Sequence, residues 1–216
     1  MKRILPFLGL LLIAASLRAQ PFADEIQTFK KQDSIHFPPA SANLFVGSSS
    51  LRLWKNIESD FQGYKVINRG FGGSSLPDVI RYADDIIFPY NPKQVLIYCG
   101  ENDFAASDTV SVATVVNRFE QLFYMIREHW PSIPVVFISI KPSPSRARLI
   151  PKMAQANKMI RSFLSHQKQA KFIDVYSLMV TKAGKPREEL FGPDMLHMNA
   201  SGYAIWKKAL KPVLKK

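Results

Sequence analysis

The chain has 216 residues, 47% hydrophobic and 21% charged, with a formal net charge of +12. That length and balance exclude a disordered chain and fit one domain with a real core. The one cysteine, Cys99, excludes an internal disulfide and a cysteine-based metal site, and its apolar neighbours predict a buried small side chain. The positive residues are scattered, with no dense block, so no nucleic-acid partner is expected; a solvated surface, or attraction to anionic envelope material, accounts for the charge.

Lys2 and Arg3 precede an apolar run from Ile4 to Ala15, and Leu17-Arg18-Ala19 follows. The run is too short to span a bilayer, which needs about 20 apolar residues. Residues 1–19 read as a signal peptide cut after Ala19, which predicts an exported protein with no transmembrane span in the mature form. Removal also takes away the charges of Lys2, Arg3 and Arg18.

Residues 20–41 come next as an amphipathic helix and a connector. Phe22, Ile26 and Phe29 have helical spacing, and Phe37-Pro38-Pro39-Ala40 breaks the pattern. From residue 42 to 216 the chain alternates. Leu44–Val46 predicts a strand and Leu51 starts a helix. Lys65–Asn68 predicts a second strand, with a helix from Leu76 to Ile87 and Pro77 in its first turn. Gln94–Cys99 is a third strand. Val112–Trp130 is a long helix whose stripe is Val115, Phe119, Leu122, Phe123 and Ile126. Pro134–Ile140 is a fourth strand, Lys141–Arg146 a loop, Leu149–His166 a helix, Lys171–Val175 a fifth strand, and Ser201–Leu214 the last helix. Continuous apolar strands alternating with helices predict an α/β fold, a five-stranded parallel sheet covered on both faces.

The first three strands each end in small or polar residues: Ser48-Ser49-Ser50, Gly70-Phe71-Gly72-Gly73, and Gly100-Glu101-Asn102-Asp103. A parallel sheet sets those ends side by side, where open α/β sheets bind ligands. Late in the chain Asp194-Met195-Leu196-His197 follows a Gly192-Pro193 turn. Serine, histidine and aspartate with fixed donors are the parts of acyl transfer. Here His197 would activate a serine, Asp194 would hold the ring, and the N–H groups of Ser49 and Gly73 with the Asn102 amide would form an oxyanion hole. Two simpler motifs fail. Ser75 stands where a dinucleotide fingerprint needs its third glycine, and no Gly-x-Ser-x-Gly elbow occurs. Taken alone, the three serines would cap a helix. His36, His129 and His166 have no partner pattern and read as surface or packing residues.

These four blocks, in this order over Leu44 to Trp206, resemble the SGNH hydrolases, the GDSL-type esterases and lipases. Phe45-Val46-Gly47-Ser48-Ser49-Ser50 resembles the first block and places the nucleophile on Ser49, with Ser48 and Ser50 as neighbours. Asn68-Arg69-Gly70-Phe71-Gly72-Gly73 resembles the second and implies Gly73 as an oxyanion donor. Gly100-Glu101-Asn102-Asp103 resembles the third and implies Asn102. Asp194 to His197, with Asn199, Gly202 and Tyr203, resembles the last and implies the acid and the base. The resemblance implies a flavodoxin-like three-layer α/β/α sandwich, no metal and no organic cofactor. It departs at Ser48, where the family usually carries aspartate.

An exported serine esterase is therefore expected, acting on an acetylated carbohydrate or a lysophospholipid-like ester. A non-catalytic glycan-binding module on the same fold is the alternative. Phe71, Phe104, Met195 and Trp54 could line an acyl pocket or pack in the core. Lys141, Arg146 and Arg148 could face an anionic substrate or form a solvated loop.

Overall fold

The structure, a computed structural model, describes residues 21–216. The expected signal peptide lies outside the described residues. Five parallel strands form one sheet: β1 (Asn43–Gly47), β2 (Val66–Gly70), β3 (Gln94–Tyr98), β4 (Val135–Ile138) and β5 (Ala170–Ile173), in the order β2-β1-β3-β4-β5. The chain starts in the sheet at β1, steps out to the β2 edge, then reverses across β1 to β3. That reversal makes a switch point, where the crossovers on either side diverge and open a crevice.

Every residue of β1, β3 and β4 is buried, because helices cover both faces. Alternate side chains serve opposite layers. Leu44 and Val46 pack with Val95 and Ile97 against one layer, which includes α1 (Ala23–Ile35), α4 (Leu76–Arg81), α5 (Ala83–Ile86), α7 (Val112–His129) and α8 (Ile150–Ser165). Phe45, Leu96 and Tyr98 face the other layer, with α2 (Ser49–Arg52), α3 (Ile57–Asp60) and α9 (Ala200–Leu210). A short α6 (Glu101–Ala106) follows β3. Each fully buried Phe or Leu here contributes about 1.5–3 kcal/mol. The expected stripe of α7 is buried throughout.

Three expectations change in detail. The helix predicted over 76–87 breaks at Tyr82, whose ring packs edge-on against Phe71 and whose hydroxyl donates to the Pro21 carbonyl at 2.6 Å. The helix predicted from Leu51 starts earlier, at Ser49, and lasts one turn. The loop predicted at Lys141–Arg146 passes into a 3₁₀ turn, Pro144–Leu149.

The N-terminal helix α1 is fastened at both ends. Near its start, the Glu25 carboxylate accepts the Gly72 N–H and pairs with Arg52. Near its end, Asp33 pairs with the buried Arg69 guanidinium at 2.5 Å and accepts from Tyr90. Burial, with Asp33 alongside, pushes the Tyr90 hydroxyl up to about 12. No helix among the described residues is long and apolar enough to cross a membrane.

Candidate active site

The site starts from a backbone requirement at the end of β1. Gly47 has φ +139°, and a Cβ there would lie 1.8 Å from the Tyr98 carbonyl oxygen. Only glycine lets β1 run this close to β3 and turn out of the sheet. Ser48 then occupies the N-cap of α2, but its side chain makes no cap bond. Its carbonyl takes the Leu51 and Arg52 N–H groups instead, so the backbone alone caps the turn. Ser49 becomes the first helical residue and stays partly exposed, while Ser48 and Ser50 on either side are buried.

Opposite Ser49 stands the turn before α9. Asp194 Oδ1 accepts the N–H groups of Leu196 and His197 at 3.0 and 2.9 Å. Its other oxygen accepts His197 Nδ1–H at 2.5 Å. Since an ionised carboxylate only accepts, the His197 proton belongs on Nδ1 and Nε2 is a free acceptor. Ser49 Oγ lies 3.1 Å from that Nε2 and donates to it. Partial burial pushes the Asp194 carboxyl up, but the two N–H groups and the His197 ring outweigh it and hold it at about 2. The turn carries backbone strain at Met195, a non-glycine residue at φ +51°.

The last helix is docked onto the serine turn. Asn199 caps α9, accepting from the Ser201 and Gly202 N–H groups. Gly202 allows close contact, since a Cβ there would lie 2.6 Å from the Leu190 carbonyl oxygen. Tyr203 donates its hydroxyl to the Ser50 carbonyl at 2.9 Å. Burial pushes that hydroxyl well above the usual phenol range.

Two further strand ends converge on the same crevice. Gly73 sits at φ +74°, and its N–H and that of Ser49 have no protein acceptor among the described residues. The glycine turn is held from below. Asn102 Nδ2 donates to the Ser74 carbonyl at 2.9 Å, and Ser74 Oγ donates to the Gly47 carbonyl. The buried Asp103 accepts the Leu76 N–H at 2.9 Å and pairs with Arg118 at 2.8 Å. Burial raises the Asp103 carboxyl, and those two donors offset part of the rise. The fold therefore brings Ser49, Gly73, Asn102, Asp194 and His197 to one sheet edge.

Around the site, the aromatic residues, Cys99 and the remaining histidines take the core, packing or surface places the sequence allows, while Lys141 and Arg146 take neither of theirs. Trp54, Phe71 and Phe104 are buried in the core, Trp54 reaching the surface only at a cleft beside Asn199 and Tyr203, and Met195 of that set is exposed, at 38%. Lys141 does not face solvent or substrate, because it is 1% exposed and paired with Glu101 at 2.8 Å. Arg146 also turns inward toward Glu101, and Arg148 pairs with Asp108 on the surface. Cys99 is buried, His129 stacks on Phe88, and His166 lies against the Ser162 carbonyl. Among the described residues no group of three His, Cys, Asp or Glu side chains could hold a metal ion.

Sequence reasoning missed the Glu101–Lys141 pair. A signal was present. Glu101 and Lys141 follow neighbouring strands, β3 and β4, at their carboxyl ends, so opposite charges meet beneath the crevice.

The fold is a three-layer α/β/α sandwich, the fold of the SGNH hydrolases. Residues 32–205 match the GDSL-like Lipase/Acylhydrolase family, and the chain belongs to that family of ester hydrolases. Among solved structures, a Streptococcus pneumonia protein named as a platelet activating factor is 21% identical, with a TM-score of 0.77 over 88% of this chain and 91% of that one. A GDSL-like lipase from Bacteroides thetaiotaomicron is 19% identical, with a TM-score of 0.75 over 87% and 96%. A carbohydrate esterase family 3 protein from Talaromyces cellulolyticus is 15% identical, with a TM-score of 0.63 over 80% and 95%. At these identities the likeness is one of fold. No curated protein sequence matches the chain.

Proposed function

We propose that the protein is an exported serine esterase that removes short acyl groups through an acyl-enzyme on Ser49. The observation that carries this reading is the unbroken line from Ser49 Oγ to His197 Nε2 and from His197 Nδ1 to Asp194. Ser49 Oγ attacks the ester carbonyl carbon while His197 takes its proton. The bond to the alcohol oxygen breaks as His197 returns that proton to the leaving group. Water, deprotonated by His197, then attacks the acyl carbon; the bond to Ser49 Oγ breaks, His197 returns the proton to Oγ, and the acid leaves. The Ser49 and Gly73 N–H groups and the Asn102 amide stabilise the oxyanion of both tetrahedral intermediates. No metal or organic cofactor enters these steps.

The preference for a short acyl group rests on what surrounds Ser49. The aromatic residues near it in sequence, Trp54, Phe71 and Phe104, are buried in the core and do not offer their faces to a long chain. Among the relatives, one is a carbohydrate esterase and another is named for platelet activating factor. An acetylated carbohydrate is the substrate class this reading favours, with a lysophospholipid-like ester second. Export rests on residues 1–19, and the exposed lysines near the carboxyl terminus suit an anionic envelope.

A series of aryl esters from acetyl to octanoyl tests this reading. A sharp preference for acetyl is expected. Activity rising toward octanoyl would assign lipid-like esters. Glycan binding without turnover, the same in Ser49→Ala, would assign a binding module.

A further inference from the structure

Beneath the Asp194–His197 turn lies a buried polar cluster that the acyl-transfer steps do not use. Lys141, three residues past β4, spends its ammonium donors on three acceptors: Glu101 Oε2 at 2.8 Å, Ser143 Oγ at 2.6 Å and the Leu196 carbonyl at 2.8 Å. Glu101 also accepts from Tyr98 Oη at 2.9 Å and from Ser143, with Arg146 at 3.5 Å. Burial works against the Glu101 carboxylate, yet Lys141, Arg146 and Ser143 hold it below the usual carboxylate range. Burial pushes the Lys141 ammonium down, and Glu101 opposes that.

The third acceptor gives the cluster its interest. Leu196 stands between Asp194 and His197, and its carbonyl is held from below by Lys141. The preceding carbonyl, of Met195, is held by the Ser145 N–H at 2.9 Å. Two successive carbonyls of the turn are thus tied to the segment after β4. Glu101 adjoins Asn102, so the same cluster joins the acid–base turn to the segment that carries the oxyanion amide. A buried ion pair adds little stability over an apolar pair of like volume. Its attachment to a strained turn is the feature that needs a reason.

We propose that Lys141 is a positioning residue. Through the Leu196 carbonyl it fixes the height of the Asp194–His197 turn, so that His197 Nε2 stays within reach of Ser49 Oγ. This rests on the reading of Ser49 and His197 as nucleophile and base. Misplacing a reacting group by about 1 Å costs about 10²-fold in rate.

The test compares two paired replacements in the full mature chain. Lys141→Met with Glu101→Gln removes both charges and the donor to Leu196. Lys141→Gln with Glu101→Gln removes both charges but keeps an N–H donor. Aryl acetate hydrolysis, the rate of fluorophosphonate labelling and thermal melting are read on both and on wild type. The two pairs should melt at similar temperatures. The Met pair should lose about 10–100-fold in kcat and in labelling rate, with KM nearly unchanged. The Gln pair should recover much of that loss. Equal kcat in the two pairs would overturn the proposal, as would wild-type kcat in the Met pair. Failure of both pairs to fold would also overturn it, since the cluster would then be a folding element. Wild type that neither hydrolyses esters nor takes the label would sink the underlying reading instead.

Discussion

Replacing Asp194 by asparagine changes one atom of the proposed site and tests the orientation of His197. In the native turn Asp194 Oδ1 holds the Leu196 and His197 N–H groups, and Oδ2 takes the ring proton. An asparagine can keep the two backbone bonds only by placing its carbonyl oxygen at the Oδ1 position. Its NH₂ group then faces His197 Nδ1, where two donors cannot meet. The ring must shift its proton to Nε2, and that nitrogen can no longer accept from Ser49. A wrong tautomer of this kind costs about 10⁴-fold in kcat. At 1.36 kcal/mol per tenfold, that is about 5.4 kcal/mol of transition-state stabilisation. The turn keeps its two backbone bonds, so KM should stay close to wild type, while melting at neutral pH should fall by the stability that the lowered Asp194 carboxyl supplies. The assay is steady-state hydrolysis of an aryl acetate with a melting curve on the same sample. Activity of Asp194→Asn within tenfold of wild type, in a sample whose melting curve shows it folded at the assay temperature, would refute the assignment of His197 as the base oriented by Asp194.

Asn102→Ala removes one oxyanion donor and should lower kcat by about 10²–10³-fold, measured on the same ester. Gly47→Ala places a methyl group 1.8 Å from the Tyr98 carbonyl oxygen at φ +139°; the cost exceeds the about 1–3 kcal/mol of ordinary overpacking, and circular dichroism should show loss of the folded protein. The Asp194 carboxyl is held down at about 2 in the fold, against about 3.9 unfolded, so it adds stability above about pH 4 that is lost as pH falls toward 2. Acid melting curves of Asp194→Asn should therefore fall less steeply than wild type between pH 4 and 2.

Much of this arrangement was legible in the chain because strand periodicity and small-residue strand ends are local signals. The five apolar runs carry their own burial, and the parallel sheet follows from helices between them. Ser49, Gly73, Asn102, Asp194 and His197 were readable because each block ends a strand or starts a helix. The break at Tyr82 was not readable, since it depends on a hydroxyl meeting the Pro21 carbonyl far away in sequence. Trp54, Phe71 and Phe104 were equally ambiguous: an aromatic residue beside a site in sequence can point to either side of the backbone, and all three point into the core. From the sequence alone Lys141 reads as a substrate contact or part of a solvated loop, because an isolated lysine normally seeks water. Its burial needs Glu101 at the start of α6, just past the adjacent strand β3, which the sheet order β1-β3-β4 supplies.

The proposed mechanism stands on the middle serine of Ser48-Ser49-Ser50 as the nucleophile. Treating the folded protein with a fluorophosphonate and mapping the adduct by peptide mass spectrometry tests it most directly. One adduct, on Ser49, is expected, with labelling and ester turnover both lost in Ser49→Ala. An adduct on Ser48 or Ser50, or turnover retained in Ser49→Ala, would contradict the account.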